Sequence, residues 1–398
     1  MIPRRWAHTE PGELLDIASW ADSDVARDEA LVGEFERAVA RYVGVPHAAS
    51  VNSGRRGMTF IFEHLGIGPG DEVIVPAYTL GDLIPLIHGF GARAVPADVD
   101  PDTLNVQVEA VQRRLSPNTK AILALHAFGM PCDVEAMVAL GRCHHVPIIE
   151  DCAHSLGATV KGRQTGSFGY AAFFSFETAK PLNTFGGGMV VSQDQALIEH
   201  VRRHTASDAA DLSSVLHKAK AVRTEQRLFN TGLAYPLLYL LATPGLKNLM
   251  NRLYRAVGQH APPRDVRYSP VQAKVGLKKL TGLDERIARR KALAGLMGSL
   301  LRPGIRPQRV VDGTQSSWYF FVATLPCEAA PIRRRLLLKG IDAGVGGEIA
   351  DNTAAMLGYA DCPNIARLHP SAISLPMHDR MLEETVAKVA RAFNALMS

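Results

Sequence analysis

VPIIEDCAHSLGA (146–158) and GSFGYAAFFSFETAK (166–180) are the stretches whose reading decides the fold. Each carries a short, nearly unbroken apolar run, IIED in the first and AAFFSF in the second, bounded by Pro, Gly or acidic residues. A run that is apolar at successive positions, with no polar alternation, belongs to a strand covered on both faces. Outward from these, EVIVPA, ARAVPADV and AILALHAF are of the same kind, and HAASVN is short and strand-like. Residues 31–42, 56–65 and 134–143 place apolar side chains at helical spacing between them. That alternation predicts an α/β large domain over 31–205, with a mostly parallel sheet and helices on both faces. Sheets of this kind bind ligands beyond the carboxyl ends of their strands. Asp151 ends the first run, Ser175 lies near the end of the second, and Lys180 is just past it.

The chain has 398 residues, 47% hydrophobic and 21% charged, so it has ample core to bury and is neither disordered nor fibrous in composition. Its net charge of +5 is scattered apart from Arg113–Arg114, Arg289–Lys291 and Arg333–Arg335. A nucleic-acid surface needs a denser basic stripe with interleaved aromatics, so no nucleic-acid partner is expected. Five cysteines, widely spaced and without CxxC, read as reduced thiols of a cytoplasmic protein, and no metal is expected. The basic start MIPRRWAH leads into no apolar segment of the secretory kind.

Beyond residue 205 the pattern changes. Residues 206–263 are too long for a simple connection and hold LAYPLLYLL (233–241) and an amphipathic run over 246–257 among basic residues. The apolar run is too short to span a bilayer. Three readings stand: a lid, a helix touching anionic lipid, or an apolar face packed on the body or on a second subunit. From Val271 a long helix is expected through LDERIARRKALAGLM, then a strand at WYFFVATLP, a helix over 332–339 and a closing helix over 381–397. These form a smaller α+β C-terminal domain, 264–398, with 1–30 as an N-terminal segment.

Lys180 follows Asp151 by 29 residues. A lysine and a carboxylate at neighbouring strand ends are what pyridoxal-phosphate chemistry requires. The amine condenses with the cofactor aldehyde, and the carboxylate keeps the pyridine nitrogen protonated so that the ring can accept electrons.

Several stretches, in order over most of the chain, resemble the DegT/StrS-type sugar aminotransferases of the aspartate aminotransferase fold. They are NSGRRGM, GIGPGDEVIVPAYT, VDPDTLNV, HAFGMPCDVEAM, IIEDCAHSLGA, GSFGYAAFFSFETAK and SLPMHDRM. The resemblance implies that Lys180 carries the cofactor and then moves the substrate proton, while Asp151 pairs with the ring nitrogen. It places the phosphate on Gly54 and the backbone amide of Arg55, where a turn opens a helix, and on Ser175. His154 takes a position where many relatives have glutamine, against the ring. The activity implied is transfer of an amino group from an amino acid such as glutamate to a keto-sugar or related polyhydroxylated ketone, in a homodimer with shared active sites.

The sequence departs from that pattern at several positions, on the cofactor side at Leu80 and Asp265 and on the substrate side at GGGM and Gly346. Leu80 stands where relatives usually stack an aromatic on the cofactor, with Tyr78 as a substitute. Asp265 replaces an asparagine that reaches the partner's phosphate, leaving Arg267, Arg55 or Arg56 to compensate. GGGM (186–189) and Gly346 replace an acid-containing glycine run and a histidine. Two alternatives therefore remain at this stage: another reaction type on the same cofactor, such as dehydration or decarboxylation, and a cofactor-retaining, membrane-associated scaffold without turnover.

Overall fold

The structure is a computed structural model and describes residues 1–231 and 266–397. Seven strands form the large sheet: β1 (His47–Val51), β2 (Glu72–Pro76), β3 (Arg93–Ala97), β4 (Thr119–Leu125), β5 (Ile148–Asp151), β6 (Ala171–Ser175) and β7 (Gly188–Ser192). Their spatial order is β1-β7-β6-β5-β4-β2-β3. All ladders are parallel except the two made by β7, which runs antiparallel to β1 and β6. The mostly parallel sheet expected from the sequence is present. The reversed strand was not foreseen, because its apolar run GMVVS follows directly on glycines that read as a loop.

Alternation within each buried strand explains the two helical layers. Val73 and Val75 join one core with Phe60, Ile61 and Leu197, whereas Ile74 between them joins another with Val111, Val134 and Met137. The first layer includes the helix Gly54–His64 and the helix Gln195–Thr205; the second includes Val134–His144.

A second sheet of four strands, in the order Arg306–Pro307, Phe321–Thr324, Ala372–Leu375, Gly344–Val345, is antiparallel throughout and is backed by the helix Glu383–Asn394. The N-terminal residues attach to this part: Ile2 bridges to Ile341, and Met377 N–H donates to Arg4 O (3.2 Å). The long helix expected from Val271 is two helices, Pro270–Leu280 and Leu283–Leu300, because Gly282 leaves helical geometry at φ −100°, ψ 11° and caps the second. The strand expected at WYFFVATLP is ordered as one only over Phe321–Thr324, since Trp318 turns the chain at φ 51°.

The stretch from residue 206 contains the helix Leu212–Thr231. Its Val215, Ala219 and Val222 are buried with Ile17, Phe185, Val271 and Val275, so the described part of this stretch packs on the body. Residues 233–241, 246–257 and Asp265 lie outside the described residues. No described helix is long and apolar enough to cross a membrane.

Candidate active site

The carboxyl ends of β4, β5 and β6 meet at one cavity of about 310 Å³, lined there by Leu125, Asp151 and Ser175. Gly54, Arg55, Leu80, Asp151, His154, Ser175 and Lys180 all line it. Seven residues singled out in the sequence are therefore brought together across the carboxyl ends of β5 and β6 and the start of one helix.

The turn at Ser53–Gly54 is built by capping. Ser53 is the N-cap of the helix Gly54–His64, and its hydroxyl accepts from Arg56 N–H (3.2 Å). The first amides of that helix have no intrahelical acceptor and, with the helix dipole, favour an anion. A side chain at Gly54 would press on β6, with an added Cβ 3.2 Å from Phe174 O and 3.4 Å from Ser175 Cβ. The helix thus begins directly against the strand that supplies Ser175. Arg55 pairs with Asp82 (2.9 Å), and both line the cavity.

Asp151 is buried, and its Oδ1 accepts from Ala153 N–H (3.0 Å). Burial pushes its pKa up, while that hydrogen bond and the charge of Lys180 pull it down. Its neighbours hold it in place: Glu150 accepts from His126 Nε2 (3.0 Å) and from the backbone N–H groups of Gly166, Phe168 and Gly169 (2.7–2.8 Å). Because His126 Nδ1 accepts from Cys132 N–H (3.2 Å), the ring proton lies on Nε2 and points at Glu150.

Lys180 projects its Nζ to 4.5 Å from the centroid of Tyr319. Tyr319 in turn stacks on His154 at 4.3 Å with 19° between planes. Phe128 and Phe320 complete an aromatic wall, and Phe128 holds a left-handed backbone (φ 61°) to reach it. That conformation costs a non-glycine residue about 1–3 kcal/mol and clusters at binding sites. The turn is clamped by Ser317 N–H to Gly129 O (3.0 Å) and Phe320 N–H to Phe128 O (3.2 Å).

His154 Nδ1 is buried without a hydrogen-bond partner among the described residues. Burial, followed by the charge of Lys180, holds its pKa well below the usual histidine value, so the ring is neutral.

Not every expectation lands here. Tyr78, expected as the aromatic substitute for Leu80, is fully buried, packs edge-on to Phe128 at 5.4 Å and does not line the cavity. The aromatic surface comes from Tyr319, Phe128 and Phe320 instead, while Leu80 is 49% exposed at the rim. Arg267 stands outside its own chain's cavity, paired with Glu29. Gly346 is left-handed (φ 54°), and a Cβ there would lie 3.6 Å from His369 Cε1, so a histidine from another element stands beside the vacated position.

Tyr319, Phe128, Arg5 and Gly188 are among the lining or shaping residues to which the sequence reading gave no site role. Tyr319 and Phe128 were hidden in runs that read as strand or turn. Arg5 comes from the N-terminal segment. Gly188, on β7, would drive a Cβ to 2.4 Å from Phe174 O and 2.8 Å from Gly54 N, so it is what lets the helix start approach β6. The density of aromatics in WYFF and the third glycine of GGGM were the available signals.

These residues fit pyridoxal phosphate: an amine and a buried carboxylate face one cavity, a helix start offers amides to the phosphate, and an unpartnered imidazole nitrogen is left for a ring substituent. Fold and site together define the class, a pyridoxal-phosphate enzyme with the aspartate-aminotransferase-like fold.

The model of the DegT/DnrJ/EryC1/StrS aminotransferase family matches residues 10–394, and the chain belongs to that family. It is similar to the spore coat polysaccharide biosynthesis protein SpsC of Bacillus subtilis, 29% identical over 96% of this chain and 93% of the relative. L-glutamine:2-deoxy-scyllo-inosose aminotransferase of Streptomyces fradiae is 31% identical over 81% of this chain and 70% of its own. Among solved structures, the aminotransferase TlmJ from Streptoalloteichus hindustanus superposes with a TM-score of 0.79 at 25% identity, covering 99% of this chain and 98% of that one. The protein is an aminotransferase of the sugar-aminotransferase family, and its cofactor is pyridoxal phosphate.

Proposed function

We propose that the enzyme transfers an amino group from glutamate or glutamine to the carbonyl carbon of a keto-sugar or related polyhydroxylated ketone. The observation that carries this reading is the convergence of Lys180, Asp151 and the Ser53–Gly54 turn on a cavity whose partly aromatic wall also carries the charged side chains of Arg5, Asp82, Glu177 and Glu348. A ketone bearing several hydroxyls finds both donors and acceptors there. The names of two relatives, an inosose aminotransferase and a GDP-perosamine synthase from Caulobacter vibrioides at 30% identity, support the same substrate class.

Bound in the cavity, pyridoxal phosphate supplies an aldehyde for the lysine and a ring that stores the electron pair left when a substrate proton departs. Lys180 Nζ is the base that takes that proton from the donor's α-carbon and returns a proton to the acceptor carbon in the reverse half-reaction. The Asp151 carboxylate holds a proton at the ring nitrogen. The Gly54 and Arg55 amides and the Ser175 hydroxyl bind the phosphate. Neutral His154, held by Tyr319, would lie against the bound ring, with its unpartnered Nδ1 available to a polar ring substituent. In a homodimer, Arg267 is the cation presented to the second copy's phosphate, which accounts for its place outside its own cavity.

The test is transfer of label from glutamate and glutamine carrying 15N at the α-amino group, each offered with scyllo-inosose-type ketones and nucleotide-linked keto-sugars. Labelled amino product with wild type and loss of at least about 10²–10⁴ in rate with Lys180→Ala is expected. Label transfer undiminished in Lys180→Ala overturns the reading.

A further inference from the structure

Two groups of potential metal-ligating side chains occur among the described residues. The first, His126, Glu150 and Cys152, is buried and already consumed: both His126 nitrogens and both Glu150 oxygens are engaged in the hydrogen bonds that brace Asp151. The second is different. Glu63 closes the helix Gly54–His64, and His200 and His204 lie on the helix Gln195–Thr205 that packs beside it. Four residues apart, the two histidines share one helix face. One ligand atom from each of the three side chains falls within 4.8 Å of the others, and the group is open to solvent at Glu63 and His204.

The distances favour an ion over a direct hydrogen bond. His200 Nε2 and Glu63 Oε2 are 3.4 Å apart, long for N–H···O but about the separation of two ligands each about 2.1 Å from a tetrahedral ion. The tautomer of His204 is fixed as well. Its Nδ1 lies 2.8 Å from His200 O, a carbonyl that can only accept, so Nδ1 carries the proton and Nε2 keeps its lone pair. A ligating histidine whose other N–H is held by a backbone carbonyl is the usual second layer of a zinc site. Phe60 backs both rings, at 6.2 Å from His200 and 5.9 Å from His204. His64 is drawn off to Asp194 (3.3 Å), which leaves three protein ligands.

We propose that Glu63, His200 and His204 bind a zinc-class divalent transition ion that clips the end of the helix Gly54–His64 to the helix Gln195–Thr205. Two imidazoles and one carboxylate suit Zn²⁺ over Mg²⁺ or Ca²⁺, which take oxygen ligands. The clipped helix is the one whose other end begins the anion-binding turn at Gly54, so the ion stiffens the cavity from a distance without entering it. The HxxxH spacing at 200–204 is the signal that sequence reading passed over when it expected no metal.

Tag-free holoenzyme, stripped with chelator and dialysed, is titrated calorimetrically with ZnCl₂ while the cofactor absorbance is followed. Expected is one equivalent per chain with the absorbance unchanged, and a Zn²⁺-dependent rise in unfolding midpoint. His200→Asn/His204→Asn and, separately, Glu63→Gln are expected to bind at least about tenfold more weakly while keeping transaminase activity within about twofold of wild type. Absence of stoichiometric binding to wild type, or equal affinity in the double variant, overturns the proposal.

Discussion

His154 and Tyr319 are stacked ring on ring, 4.3 Å between centroids, and Lys180 Nζ lies 4.5 Å from the centroid of the same tyrosine. One aromatic side chain from the C-terminal part of the molecule therefore positions two residues of the large sheet's site. Tyr319→Ala removes a contact of about 0.5–1.5 kcal/mol and leaves His154 free to turn, so cofactor affinity should fall about threefold to tenfold. His154→Gln should retain more activity than His154→Ala, since an amide still presents a polar atom to the cavity. Because burial and Lys180 hold His154 neutral, its replacement by Gln should leave the rate–pH profile between about pH 5.5 and 7.5 unmoved. A limb near pH 6.5 that vanishes in the Gln variant would contradict the neutral assignment.

Gly188 is the hidden support of the Ser53–Gly54 turn. An added Cβ meets backbone on every side, Phe174 O at 2.4 Å, Gly54 N at 2.8 Å and Ser53 C at 2.9 Å, none of which can rotate away. Gly188→Ala should destabilise the protein by about 1–3 kcal/mol and weaken cofactor retention, measured by dialysis against cofactor-free buffer. Gly295→Ala, mid-helix with nothing within 4 Å, is the control and should stabilise by about 0.5–1 kcal/mol.

Lys279 and Glu13 form an ion pair at 3.0 Å with both side chains fully buried, and Lys279 Nζ also donates to His8 O (3.0 Å) and Asn183 Oδ1 (3.1 Å). Burial pulls the Lys279 pKa down to about 8 and pushes that of Glu13 up. The pair pins the N-terminal segment that carries Arg5 to the helix Pro270–Leu280. Lys279→Met strands a buried carboxylate and should cost about 3–5 kcal/mol in denaturant unfolding. Adding Glu13→Leu should recover most of that loss; a double variant no better than the single one would show that the lysine's backbone contacts dominate.

How much of this was legible in the sequence follows the length scale of each interaction. The placement of Asp151 and Lys180 at the cavity was readable because a buried strand announces itself by an unbroken apolar run, and its end is fixed by where the run stops. Gly54 was readable because helix starts depend on a few adjacent residues. Tyr319 was not, since its role depends on a contact with His154 across 165 residues of chain. The break at Gly282 was missed because a lone glycine in a helical pattern is usually tolerated. β7 was missed because nothing local to GMVVS reveals its antiparallel partners on both sides.

His378 is 6% exposed, lies 5.9 Å from the ring of Trp6, and has neither ring nitrogen partnered among the described residues. Burial, and then the charge of Arg290, pulls its pKa from 6.5 to about 4. With the folded-state value lowered, unfolded chains take up the proton first as pH falls. The stability associated with a neutral His378 is therefore complete above about pH 6.5 and is lost progressively toward pH 4, below which both states are protonated. Between pH 7 and pH 5 this loss amounts to about 2 kcal/mol. His378→Leu keeps the packing against Trp6 and removes the titration, so its denaturant stability should decline less than wild type's over that interval by about that amount. Parallel stability–pH curves for the two proteins would show that His378 finds a proton acceptor in solution and is not the neutral, buried ring described here.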